Sequence, residues 1–261
     1  MFAIQSKGTQ NTVIHAANLI KNFQSFRAVN GVSFDVPAGV VYAFLGPNGA
    51  GKTTTIRMLT GILEPDEGQL ELFGLNYRKH RNEILNLIGY IPDRPFLYGK
   101  MTAIELLRFL GSLRKLDPNY VKQRSMDLLD KFRLADFAHE IVERYSHGMR
   151  QKLVMATALL HKPQLLVVDE PMVGLDPRAA LQIKQLITDF AKSGRSVFMS
   201  THTLEVAAQL CDRVGIIHKG SVVADESLAS LTERMKTKDG DLEAVFMALT
   251  ADGHEPEAIP V

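Results

Sequence analysis

The chain reads as an α/β protein organised around a mostly parallel sheet, and three patterns lead there. Short apolar runs recur at Val40–Leu45, Leu165–Val168, Ser196–Met199 and Val214–Ile217, each too short for a helix and lacking strict polar alternation. Such runs fit strands covered on both faces. Helical patterns separate them, as crossover connections between parallel strands require. A glycine-rich loop, Gly46–Thr54, lies between the first run and a helix-like segment, Thr55–Leu59.

Along the chain, residues 1–12 are polar and read as loosely ordered. From Val13 the pattern is β-like, with alternation at Val32, Phe34 and Val36 and turns at Asn30-Gly31 and Pro37-Ala38-Gly39. Leu70, Leu72 and Phe73 read as a short strand between Gly68 and Gly74, and Ile84-Leu85 runs on through Ile88–Ile91 to a stop at Pro92. The middle then turns helical. Thr102 and Glu105 form a capping box ahead of Leu106, Leu107, Leu110 and Leu113. Asp117-Pro118 pairs an N-cap with proline at the first helical position, followed by Val121, Leu128, Leu129 and Phe132 on one face. Residues 93–160 therefore read as a helical insertion. The tail beyond Val223 is polar, with a helical pattern around Leu242–Leu249.

Composition narrows the function classes. Hydrophobic residues make up 46% and charged residues 23% of the 261, an ordinary globular balance. Thirty Lys+Arg against 29 Asp+Glu leave a net charge of +1, which argues against nucleic-acid binding by bulk charge. The single cysteine, Cys211, excludes an internal disulfide and fits a reducing compartment. No apolar run approaches the roughly 18 residues that cross a bilayer, and no basic-then-apolar leader opens the chain. The expectation is a cytosolic chain.

The loop Gly46-Pro47-Asn48-Gly49-Ala50-Gly51-Lys52-Thr53-Thr54 fits the pattern G-x-x-x-x-G-K-[ST]. Its glycines let the backbone curl until successive N–H groups aim at one anion. The following helix start adds unpaired N–H groups and the positive end of a dipole. Lys52 supplies a mobile cation for terminal phosphates, and the hydroxyl of Thr53 suits Mg²⁺.

A second signal is Asp169-Glu170 at the carboxyl end of Leu165–Val168, where ligands bind in open α/β sheets. Asp169 suits a place near Mg²⁺, and Glu170 one opposite the terminal phosphate, facing water. Ser146 at a helix start with Gly148 beside it makes a second anion site. His202, after the run Ser196–Met199, can donate to a phosphate.

With these motifs in this order, the chain resembles the ATP-binding cassette (ABC) ATPases that drive membrane transporters, over about residues 13–220. In the resemblance Gly46–Thr53 matches the Walker A loop, Ser146-His147-Gly148-Met149 the signature, and Asp169-Glu170 the Walker B pair. Gly174-Leu175-Asp176 matches the D-loop, His202 the switch histidine, and Phe23 the aromatic that stacks on adenine. It implies a P-loop NTPase (RecA-like) core, an N-terminal antiparallel β subdomain (13–92 and 161–220 together) and a helical subdomain at 93–160. An extension, 221–261, would follow. It also implies ATP and Mg²⁺ as cofactors, with Glu170, His202, Lys52 and Asp93 as catalytic candidates and Thr53, Asp169 and Asp93 at the metal. Phe23, Gly46–Thr54, Ser146, Gly148 and Asp176 would contact nucleotide. The partners implied are a separate membrane permease and a second ATPase copy packed head to tail, with the chain peripheral on the cytoplasmic face of the cell membrane.

Three positions depart from the family pattern. Asp93 stands where glutamine is usual, and an ionised carboxylate cannot donate a hydrogen bond. His147 replaces a glycine and Met149 a glutamine, which puts turnover in question more than ligand. The phrase Ile91–Tyr98 and the single-cassette length resemble ATPases paired with ABC-2-type or multidrug export permeases. A soluble ABC ATPase acting on ribosomes or DNA is the alternative, and paired cassettes or a coiled-coil insertion would mark it. Neither is present. A binding module that scarcely hydrolyses is disfavoured by intact Lys52, Thr53, Asp169, Glu170 and His202.

Overall fold

The computed structural model describes residues 12–94, 96–172 and 177–236. The helical pattern at Leu242–Leu249, Asp176 and the polar stretch up to residue 11 lie outside them. Two sheets organise the described chain. Strands β1 (Thr12–Phe23), β2 (Phe26–Pro37), β4 (Glu67–Leu72) and β5 (Leu75–Asn76) form an antiparallel sheet in the order β2-β1-β4-β5. The second sheet runs β10-β9-β3-β8-β7-β6, from β3 (Val41–Leu45), β6 (Ile88–Ile91), β7 (Leu165–Val168), β8 (Ser196–Thr201), β9 (Arg213–His218) and β10 (Ser221–Ser227). Its pairings are parallel except β10 with β9.

Burial explains why the core strands read as unbroken apolar runs. Along β3, Val41, Ala43 and Leu45 face one hydrophobic cluster, and Tyr42 and Phe44 face the other. Leu166 and Val168 against Leu165 and Val167 repeat the division on β7, as do Val197 and Met199 against Phe198 on β8. With both faces covered, alternation carries no polar member. The interface between the sheets is aromatic. Phe34 of β2 lies 5.7 Å from Tyr42, 5.4 Å from Phe44 and 5.6 Å from Phe198, centroid to centroid. The other face of the parallel sheet is covered by α3 (Ala103–Leu113), α4 (Pro118–Lys131), α5 (His147–Leu159), α6 (Pro177–Lys192) and α7 (Leu204–Leu210), whose buried residues share that cluster.

The helix-start signals hold. Thr102 and Glu105 form both hydrogen bonds of the capping box on α3, and the Asp117 carboxylate accepts from the Tyr120 N–H at the start of α4. Three local readings are corrected. Phe73 is not in the strand: β4 ends at Leu72, and Phe73 turns the chain at φ +56°. Ile84-Leu85 belong to α2 (Tyr77–Leu87), not to a run into β6. Only Tyr77 and Ile84 are buried on that helix, so its sequence carries too little apolar periodicity to announce it. Beyond Val223, β10 continues to Ser227 and α8 (Leu228–Lys236) follows. No helix among the described residues is long and apolar enough to cross a membrane.

Phe198 touches three rings across the two sheets and is fully buried. Phe198→Ala should cost about 3–5 kcal/mol of stability. Denaturant unfolding that showed a loss below about 1 kcal/mol would mean the aromatic layer is not a joint packing unit.

Candidate functional site

Strand order brings the functional candidates to one edge. β3, β8 and β7 are neighbours, with Leu45 opposite Thr201 and Val168 opposite Met199. Their carboxyl ends therefore deliver the loop at Gly46–Thr54, His202, and the Asp169-Glu170 pair side by side.

The loop is held by close backbone packing. Gly46 donates its N–H to the Thr201 carbonyl at 3.3 Å, and a Cβ there would collide with the Ile217 carbonyl oxygen. Gly51, at φ +108°, begins α1 (Lys52–Leu59) with its α-carbon so close to β2 that a Cβ would stand 2.6 Å from the Ala28 oxygen. Only glycine fits both demands. No side chain caps α1, so its first N–H groups remain directed at the loop's interior. Pro47 is half-buried, Asn48 and Gly49 face solvent, Ala50 is buried, Thr53 is exposed and Thr54 half-buried.

Lys52 is buried, and its ammonium donates to the Gly46 carbonyl at 2.6 Å and the Pro47 carbonyl at 3.1 Å. Its Nζ also lies 3.4 Å from Glu170 Oε1, while Glu170 Oε2 meets His202 Nδ1 at 2.9 Å. One carboxylate thus spans a lysine from the loop and a histidine from the neighbouring strand end. Glu170 adopts φ +47°, a left-handed conformation that costs a non-glycine residue of order 1–3 kcal/mol. The Ser200 hydroxyl offsets that cost: it accepts from the Glu170 N–H at 3.0 Å and donates to Asp169 Oδ1 at 2.6 Å. Asp169 is buried, and burial raises its carboxyl pKa. Hydrogen bonds from Ser200 and Thr53 pull it down, and the charges of Glu170 and Asp93 push it up again.

Asp93 stands just beyond β6, partly exposed, with Arg94 Nε 3.9 Å from its carboxylate. It shares a cavity of about 20 Å³ with Asp169, Glu170 and Gln151. Ser146 caps α5, its Oγ accepting from the Met149 N–H at 3.3 Å. A Cβ on Gly148 would meet open space, so within one chain no close approach requires glycine there. Ser146 and His147 are exposed, and neither shares a hydrogen bond with the Gly46–Thr54 loop among the described residues. Phe23 ends β1, 42% exposed and opposite Phe26 across the turn.

Two positions went unmarked in the sequence reading. Ser200 is a fully buried hydroxyl in an otherwise apolar stretch, and that misplaced polarity was its signal. Gly220, in the β9–β10 turn at φ +82°, donates to the Ala50 carbonyl and accepts from the Asn30 N–H. It ties the loop to β2, and only the Lys219-Gly220 turn pattern hinted at it.

A family model described as ABC transporter matches residues 29–173. The chain belongs to the ABC transporter family. It is similar to the bacitracin transport ATP-binding protein BcrA of Bacillus licheniformis, 37% identical across 95% of this chain and 82% of the relative. The daunorubicin/doxorubicin resistance ATP-binding protein DrrA of Streptomyces peucetius is 36% identical, across 85% of this chain and 68% of its own. Among solved structures, an ATP binding subunit of an ABC transporter superposes with TM-score 0.82 at 30% identity, covering 91% of this chain and 99% of that one. The dimeric ATP-binding cassette MJ0796, bound to ADP and Pi, superposes with TM-score 0.75 at 22% identity over 82% of this chain and 98% of its own, a likeness of fold. The protein is an ABC ATPase, an ATP-binding and ATP-hydrolysing transporter subunit with the P-loop NTPase architecture.

In this ABC ATPase, Gly46→Ala should force the loop off the Ile217 carbonyl, at a cost of about 1–3 kcal/mol. ATP titration together with thermal unfolding checks this; wild-type affinity and an unchanged Tm would show that the close approach is not needed.

Proposed function

We propose that this ABC ATPase powers export through a separate permease, and that hydrolysis runs on the Lys52–Glu170–His202 contact. The bridging of Lys52 and His202 by one carboxylate is the observation that carries this reading. Phosphate competes with the Gly46 and Pro47 carbonyls and with Glu170 for the Lys52 ammonium. The N–H groups at the start of α1 take the remaining phosphate oxygens, and Phe23 stacks on the base. Glu170 then holds the attacking water and takes its proton, while His202 donates to the terminal phosphate. Positioning and charge stabilisation supply most of the acceleration in phosphoryl transfer.

Thr53 and Asp169 would hold Mg²⁺, with Asp93 at its water shell. The donor set fits: a hydroxyl and a carboxylate, hard oxygens, with the Thr53 hydroxyl near enough to lower the Asp169 pKa. Among the described residues no cluster of three or more His, Cys, Asp or Glu forms a metal site, so the ion would draw further ligands from phosphate and water. Held there, the ion would supply charge neutralisation to the terminal phosphates. A buried carboxylate whose pKa burial raises is a group that gains from such a cation.

Two copies would pack head to tail, placing Ser146 and Gly148 of one against the nucleotide of the other. The exposure of Ser146 and the open space around Gly148 at the start of α5 support this. Asp176 would sit at the same junction. The permease docks in a groove of about 540 Å³ lined by Asp93, Phe96, Leu97, Val142, Arg150 and Gln151, between the sheet edge and the helical segment 93–160. Phe96 is 84% exposed there, edge-on to Tyr98, which packs against Phe109. This docking would hold the chain on the cytoplasmic face of the membrane. Export is supported by relatives named for bacitracin transport and for daunorubicin/doxorubicin resistance.

Glu170→Gln should keep ATP affinity and lose about 10²–10⁴-fold in kcat. Turnover at the wild-type rate would remove Glu170 from the chemistry. Phe96→Asp should release the chain from membranes containing its permease, read by sedimentation; undiminished co-sedimentation would place docking elsewhere.

A further inference from the structure

The cavity beside the catalytic candidates contains one group that the proposed chemistry leaves unused. Gln151 lies in the second turn of α5 and lines two spaces at once: the 20 Å³ cavity holding Asp93, Asp169 and Glu170, and the larger groove holding Phe96 and Arg150. Its side-chain carbonyl oxygen is buried, and no donor in the described protein reaches it. A buried amide oxygen without a donor is costly. A space of about 20 Å³ holds one water, provided that polar groups surround it. Here four polar side chains do.

The chemistry of the walls assigns the partners. The three carboxylates are acceptors only when ionised, so they cannot bond to one another. Glu170 already engages Lys52 and His202, and Asp169 engages Ser200 and Thr53. Asp93 has the loosest partner, Arg94 at 3.9 Å. Gln151 is the one lining side chain in the cavity that both donates and accepts.

We infer that Gln151 is a positioning residue for hydrolysis: through one water, which donates to its Oε1 and to the Asp93 carboxylate, it fixes Asp93 against Asp169 and Glu170. Because the same side chain walls the docking groove, it ties the placement of α5 to that of the carboxylates. The inference rests on reading Glu170 as the group that activates water.

The test uses the full chain with Mg·ATP and two substitutions. Gln151→Met keeps the length of the side chain and removes the amide; kcat should fall about tenfold while KM for ATP stays at the wild-type value. Asp93→Gln added to Gln151→Met returns an amide from the opposite wall, and should recover most of the lost kcat. A structural role for Gln151 would not be rescued in this way. A wild-type kcat in Gln151→Met, a double variant no faster than the single one, or a KM that rises together with a lower Tm would each overturn the inference. A crystal structure of the wild-type chain should show one water within hydrogen-bond distance of Gln151 Oε1 and Asp93; a dry cavity overturns it as well. Glu170→Gln run in parallel separates the two levels. If that variant still turns over, the reading of Glu170 fails; if it is dead and Gln151→Met is unaffected, only the role of Gln151 fails.

Discussion

Parallel pairing of β3, β8 and β7 in a common register is the constraint from which the site follows. Lys52, more than a hundred residues before the others, meets Asp169, Glu170 and His202 because three strands end on one edge. Parallel strands need crossover connections, and here helices α3–α7 cover one face of the sheet while the antiparallel sheet packs on the other. The same arrangement that buries the core thus leaves the strand ends as the place where polar groups collect. Within that edge, the Ser200 hydroxyl steadies both members of the carboxylate pair and holds Glu170 in a backbone conformation it would otherwise leave.

Much of this was legible in the sequence where local chemistry is decisive. The loop at Gly46–Thr54 reads directly, because glycine is demanded by backbone contact: Gly46 against Ile217, Gly51 against Ala28. The capping box at Thr102 and the Asp117-Pro118 start read for a similar reason, since each depends on residues within one turn. Legibility ended where the partner is distant in sequence. Ser200 matters through Asp169 and Glu170, and Gly220 through Ala50 and Asn30, pairings that no local pattern contains. Helix α2 escaped because the surface asks almost nothing of it; two buried residues seven positions apart leave no stripe.

The departures from the family pattern acquire different weights in three dimensions. His147 is exposed at the start of α5 and lines the rim of the groove. Asp93 stands at the junction of the small cavity and the groove, where its charge acts on the buried Asp169. A change there alters the balance among three neighbouring carboxylates. In the proposed reading, a partner docked in the groove would stand one residue away from these carboxylates, which offers a physical basis for coupling transport to hydrolysis.

The central claim is that polyphosphate replaces the internal partners of Lys52. A crystal structure of the full chain with Mg²⁺ and a slowly hydrolysed ATP analogue tests it most directly. The account predicts the Lys52 ammonium on the phosphates, withdrawn from the Gly46 and Pro47 carbonyls, with the phosphates against the first N–H groups of α1. An analogue bound elsewhere, with Lys52 still on those carbonyls, would contradict it.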